Sequence, residues 1–216
     1  PQIVRGDSSG VGLRMPSHPV ALALIDTTGP LAAPSANLYG RPSPTNAQHV
    51  RQDLDGRIAA VLDAGETGAG LESTLVDLCA GKHRILRRGG ISVEALEEFT
   101  GQKFDIRDLK KFSPYKIKVQ VVLSESQEDF QAKKNDFRSG GRILGLVHID
   151  DTTGHRIENG MPSYYLDLSG QGLSLYSILR DAEKDGIEVL LIAPISPEQA
   201  GVAPAIMDRI RRTAFR

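Results

Sequence analysis

The chain has 216 residues, 40% hydrophobic and 25% charged, with a net charge of -1. This is the make-up of an ordinary globular protein of one large or two small domains, and it argues neither for nor against a nucleic-acid partner. A single cysteine, Cys79, excludes an intrachain disulfide and fits a reducing, cytoplasmic compartment; the five histidines lack metal-ligand spacing, and no apolar run approaches the length of a membrane span.

In chain order, Val11–Met15 reads as a short strand with Arg14 inside it. Ser17 has the chemistry of an N-cap and Pro19 suits a first helical turn, so Val20–Ile25 reads as a helix ending near Gly29. Leu31–Ala33 is the next expected strand. Thr45 is expected to cap a helix through Leu54, with Asp55-Gly56 as its stop. Ile58–Asp63 reads as a buried strand and Gly65–Gly70 as a turn. Thr74–Leu78 and His83–Leu86 read as a strand pair, and Ser92 as the cap of a helix closed by Gly101. Residues 102–117 are polar and basic and read as a linker. Beyond it, strands are expected at Lys118–Leu123, Arg142–Ile149, Tyr164–Leu168 and Val189–Ile195. Helices are expected at Gln127–Phe137, Ser174–Asp185 and Ala205–Ala214, the last with Arg209, Arg211 and Arg212 outward. That order predicts a small, mostly parallel Rossmann-like domain. No Gly-x-Gly-x-x-Gly follows its first strand, so a dinucleotide site is not expected.

The stretch Leu31–Thr45, Leu-Ala-Ala-Pro-Ser-Ala-Asn-Leu-Tyr-Gly-Arg-Pro-Ser-Pro-Thr, carries the strongest functional signal. A short apolar run stops at Pro34. Ser35, Asn37, Ser43 and Thr45 then place hydroxyls and an amide on a loop stiffened by Pro34, Pro42 and Pro44. Such a loop suits a polyanionic or zwitterionic small ligand, and equally a proline-rich surface connection.

Ala33-Pro-Ser-Ala-Asn37 with Gly40-Arg-Pro-Ser-Pro-Thr45 resembles the YrdC-like domain of threonylcarbamoyl-adenylate synthases. Val11–Pro19, Glu72-Ser-Thr-Leu-Val-Asp77 and Ile85-Leu-Arg-Arg-Gly-Gly-Ile91 extend the resemblance in order. Leu190–Ile195 and Gly201–Ile210 resemble the C-terminal domain of the long form of these enzymes. The resemblance implies an α/β architecture: residues 1–101 as the C-terminal portion of a YrdC-like catalytic domain with a twisted mixed sheet, 102–117 as linker, and 118–216 as the Rossmann-like domain. It also implies that the first domain begins well upstream, with a Thr-rich strand and a Lys-x-Arg pair that nothing before Val11 resembles. This chain is therefore expected to hold half of a cleft.

The implied activity joins L-threonine, bicarbonate and ATP into threonylcarbamoyl-AMP and pyrophosphate. Magnesium would be bound through the nucleotide, and the product would pass to a complex that modifies tRNA. Transfer to phosphorus rests on positioning and charge neutralisation, so cations, hydroxyls and backbone amides are expected rather than a nucleophilic side chain. No Ser-His-Asp or Cys-His set competes. Arg14 is either an outward strand residue or a guanidinium that forks onto a carboxylate; the resemblance assigns it, with Ala33 and Ser73, to L-threonine. It assigns Gly10, Ser35, Ser43 and Arg87 to ATP, with Arg88 standing where the family has proline. Tyr115 or Phe112 would serve as the aromatic lid of the linker. Glu66 and Glu72 read as solvated turn residues. A competing reading is a non-catalytic nucleotide- or RNA-binding module using Arg14, Arg41, Arg87 and the basic linker. A third, a carbamoyltransferase working through a carbamoyl-adenylate, is disfavoured by the C-terminal domain.

Overall fold

The structure is a computed structural model describing residues 2–6, 10–68, 70–79, 81, 83–107, 115–149, 155–168, 174–196 and 201–214. The first part opens with a single helical turn, α1 (Gln2–Arg5). Helix α2 (Pro19–Thr28) uses its proline in the first turn and is capped by His18, whose Nδ1 accepts the Val20 N–H at 3.3 Å. The expected cap, Ser17, is not the one used. Gly29, at φ 75°, closes the helix through a 2.8 Å bond to the Ile25 carbonyl. Helix α3 (Ala47–Leu54) is capped by Asn46, whose Oδ1 accepts from the His49 N–H at 3.0 Å. The expected cap, Thr45, is engaged elsewhere: its hydroxyl bonds His49 Nδ1 and the Ser177 hydroxyl.

Strands β1 (Leu75–Asp77) and β2 (Arg84–Arg87) pair antiparallel, with Val76 opposite Ile85. Helix α4 (Val93–Thr100) lies between the expected Ser92 cap and a left-handed Gly101. Strand β3 (Asp105–Ile106) falls in the stretch expected to be linker and runs parallel to β2, making a small mixed sheet. The strands expected at Val11–Met15, Leu31–Ala33 and Ile58–Asp63 do not form: these residues have no ladder partner among the described residues. Leu13 and Met15 are 89% and 86% exposed. A strand requires a hydrogen-bonded neighbour, which an apolar pattern cannot supply by itself.

The second part contains β4 (Gln120–Leu123), α5 (Gln127–Ser139), β5 (Leu144–Ile149), β6 (His155–Glu158), β7 (Met161–Leu166), α6 (Leu175–Lys184), β8 (Val189–Ile192) and α7 (Ala203–Ala214). The sheet order is β4-β8-β5-β7-β6, parallel except at β6. The mostly parallel Rossmann-like order is as expected; β6 is an addition, and β7 begins three residues before the expected Tyr164. Asn159 (φ 50°) and Gly160 (φ 76°) both take positive φ in the two-residue turn that joins β6 to β7, the conformation that favours Asn-Gly in hairpins. Phe130 of α5 covers one face with Leu144, Leu146 and Leu191. On the other face, α6 and α7 bury Ile178, Leu179, Ile206 and Ile210 against Val121, Val147, Leu190 and Ile192.

Helix α6 has two buried sides. Leu175, Ile178, Leu179 and Ala182 meet the second core. Tyr176, Ser177 and Arg180, also buried, reach residues of the first part. Gly70 lies against the turn before this helix: a Cβ there would sit 2.0 Å from the Ser174 Cβ.

Candidate functional site

The loop Leu38–Thr45 is fastened to α6. Arg180 donates to the Pro42 carbonyl at 2.6 Å and to Asp53 Oδ2 at 2.6 Å, with both side chains almost fully buried. Asp53 also accepts from the Leu38 N–H. Arg41 pairs with Glu183 at 2.6 Å and donates to the Lys116 carbonyl, while the Lys116 N–H donates to the Gly40 carbonyl. Burial pushes the Asp53 carboxyl up, but the hydrogen bonds and charge of Arg180 prevail and hold it below the usual range. Burial and the Arg180 charge push His49 down, so its ring is neutral and Nδ1 is free to accept from Thr45. Ser43 therefore sits on a loop whose position is set by α6 as well as by its prolines.

Ser43 leads to a second cluster. Its hydroxyl is 3.4 Å from Glu72 Oε1, which also accepts from the Tyr176 hydroxyl at 2.7 Å. Glu72 Oε2 accepts from Arg209 Nε at 3.2 Å and from its Nη2 at 3.0 Å. The Tyr115 hydroxyl lies 2.6 Å from that of Tyr176, the rings meeting edge to face. On the next residue, the Ser73 carbonyl accepts Nε and Nη2 of Arg87 at 3.2 and 3.0 Å. Gly89 explains how closely the segments flanking β1 and β2 approach. A Cβ at that position would lie 2.1 Å from the Glu72 carbonyl oxygen and 2.4 Å from the Thr74 nitrogen. The Gly90 N–H closes the junction on the Glu72 carbonyl at 3.0 Å.

Burial raises the Glu72 pKa, yet the Arg209 charge and the Tyr176 hydrogen bond outweigh it, so Glu72 is held ionised below its usual range. Burial opposes the charge on Arg209, and Glu72 more than restores it. For Arg87, burial and the like charges of Arg209 and Arg212 prevail over Glu72 and lower its pKa. Tyr176 is pushed up by burial first, then by Tyr115 and Glu72, and stays protonated as a donor. A guanidinium from each part of the chain thus lies at this junction, Arg209 on the Glu72 carboxylate and Arg87 on the Ser73 carbonyl, with the Ser43 hydroxyl beside them. This arrangement attracts anions and positions them; it holds no activated nucleophile.

The structure thus brings together Ser43, Ser73, Arg87 and Tyr115. Arg14, Ala33 and Ser35 are exposed and lie outside helices and strands, and among the described residues no hydrogen bond joins them to that group. Gly10 lies against Cys79, whose Sγ would be 2.6 Å from a Cβ there. Of the two neighbouring arginines, Arg87 is the one turned onto Ser73. Phe112 lies outside the described residues. Glu72 is corrected from a solvated turn residue to a half-buried hub, and Arg209 from an outward residue to one 1% exposed. A signal for Arg209 existed. It falls three residues after Ile206 and four after Ala205, both buried, so its charge lies on the stripe that faces inward and requires a partner there.

Two family models match the chain in succession. One, described as telomere recombination (the Sua5, YciO and YrdC group), covers residues 1–89. The other, described as the C-terminal domain of threonylcarbamoyl-AMP synthase, covers residues 91–214. The chain belongs to the threonylcarbamoyl-AMP synthase family. It is 36% identical to the threonylcarbamoyl-AMP synthase of Bacillus subtilis, over 94% of this chain and 63% of that protein. It is 30% identical to the synthase of Pyrococcus abyssi, over 99% of this chain and 66% of that one. The crystal structure of P. abyssi Sua5 complexed with L-threonine superposes with a TM-score of 0.80, at 30% identity, over 99% of this chain and 66% of that chain. The chain thus spans just under two thirds of the length of these relatives. Among the described residues, no helix is long and apolar enough to cross a membrane.

Proposed function

We propose that this chain carries part of an L-threonylcarbamoyladenylate synthase, acting in the cytoplasm on L-threonine, bicarbonate and ATP. The threonine amine captures bicarbonate as a carbamate: the N–C bond forms, a C–O bond breaks, and water leaves. A carbamate oxygen then attacks the α-phosphorus of ATP, the α–β phosphoanhydride bond breaks, and pyrophosphate leaves. The observation that carries this reading is the junction at Glu72-Ser73, where Ser43 and Arg87 converge on the short segment before β1 within a chain of this family. In it Ser73, with Arg14 and Ala33, receives threonine. Ser43 and Arg87, with Gly10 and Ser35, receive the nucleotide, and Tyr115 covers it from the linker. The charge of Arg87 is opposed by burial and by the neighbouring arginines, and an incoming phosphate would relieve both.

Magnesium carried on the triphosphate would supply charge neutralisation there. The product would be handed to the complex that transfers threonylcarbamoyl to tRNA. The test is pyrophosphate release from ATP by the purified chain, with and without L-threonine and bicarbonate. Release that requires both supports the reading. No release, together with salt-dependent RNA binding, would move the assignment to a binding module.

A further inference from the structure

Besides the contacts of α6 with the Pro42–Thr45 loop, the second domain reaches the proposed substrate site through Glu72. Glu72 directly precedes Ser73 in the chain, and both of its carboxylate oxygens are partnered. Arg209 of α7 takes one with two N–H groups, and Tyr176 of α6 donates to the other. The Arg209 side chain is 1% exposed and that of Glu72 27%, so the guanidinium depends on this carboxylate and not on water for its charge partner. The backbone behind Glu72 is equally confined. Its carbonyl accepts from Gly90, and Gly89 packs against it so closely that a Cβ there would overlap it. The Ser73 carbonyl in turn anchors Arg87. A shift of the Glu72 side chain is therefore passed to the Ser73 backbone and to the Arg87 guanidinium. Tyr115, against Tyr176, is attached to the same carboxylate one hydroxyl further out.

We infer that Glu72 is a positioning residue, clamped by Arg209 and Tyr176, through which the C-terminal domain sets Ser73 and Arg87 for substrate. The inference rests on the threonine reading above. It assigns the second domain a role in substrate affinity without any contact between that domain and threonine.

The test is calorimetric titration of L-threonine into the full chain and three variants. Arg209→Met removes the clamp and is expected to weaken threonine binding about tenfold or more, since small misplacements of a bound group cost rates and affinities of that order. Tyr176→Phe keeps the packing and loses one donor; it is expected to weaken binding about threefold, and it carries the test if Arg209→Met does not fold. Phe130→Leu is the control. It trims the core on the other face of the second sheet, where Phe130 of α5 packs with Leu144, Leu146 and Leu191, away from the faces of α6 and α7 that hold Glu72. It should lower the melting temperature while leaving threonine affinity within about twofold. Two results overturn the inference alone: unchanged affinity in both clamp variants, or an equal loss in Phe130→Leu, which would mark a general effect of destabilising the second domain. If the wild-type chain binds no L-threonine, the threonine reading itself falls, and this role with it.

Discussion

Substituting Gly89 by alanine adds one methyl group at the tightest backbone junction of the candidate site. The new Cβ would meet the Glu72 carbonyl oxygen at 2.1 Å, the Thr74 nitrogen at 2.4 Å and the Ser73 carbonyl carbon at 2.5 Å. All three are backbone atoms, so no side chain can rotate away. Reaching an ordinary C···O separation of about 3.3 Å requires the two segments to part by roughly 1.2 Å. Parting them stretches the Gly90–Glu72 hydrogen bond, 3.0 Å in the native chain. Overpacking of this kind costs about 2–3 kcal/mol, or roughly 4–12 °C in Tm for a chain of this size. The assay is thermal unfolding followed by circular dichroism. Gly68→Ala serves as the reference: its Cβ would meet nothing within 4 Å. The reference variant should be neutral or stabilised by up to about 1 kcal/mol. A Gly89→Ala protein that melts within about 1 °C of wild type would refute the steric argument and the confinement of Glu72 built on it.

Asp53→Ala leaves the buried Arg180 guanidinium without its carboxylate, at a cost of about 3–5 kcal/mol, read from urea denaturation. Gly70→Ala, which drives a Cβ to 2.0 Å from that of Ser174, should loosen the contact between domains, seen as faster proteolysis at their junction. Stability should fall with acid in two steps. The lowered pKa of His49 means that the unfolded chain binds its proton first, so stability present above pH 6.5 declines as pH falls below that value. This step should vanish in His49→Gln. Asp53 and Glu72, also lowered, contribute stability present above their unfolded values of 3.8 and 4.5 and lost as pH falls through their folded values. Melting temperatures measured from pH 8 to 3 check both steps.

Much of the architecture was legible because it is local. Helix α4 lies between Ser92 and Gly101 as their capping chemistry requires. The stripe Leu175, Ile178, Leu179 and Ala182 of α6 reads directly as a buried face. Strands β4, β5 and β8 form apolar ladders that need no side-chain partner to be recognised. The Asn159-Gly160 turn was a readable hairpin signal as well, and it accounts for β6 and the early start of β7. The exposed stretches at Val11–Met15, Leu31–Ala33 and Ile58–Asp63 carry the same kind of apolar pattern without a ladder. Pattern reports what a segment can bury, not which neighbour is present to pair with it.

The presence of the serines and arginines and the stiffness of the proline-rich loop were set by sequence alone, as was the helix cap at Ser92, because those are properties of a few adjacent residues. Tertiary structure alone decided that Glu72 faces Arg209, 137 residues further along, and that Asp53 faces Arg180, 127 residues away. An isolated carboxylate in a turn looks solvated, since water is its default partner. Only folding removes that water and puts a guanidinium in its place.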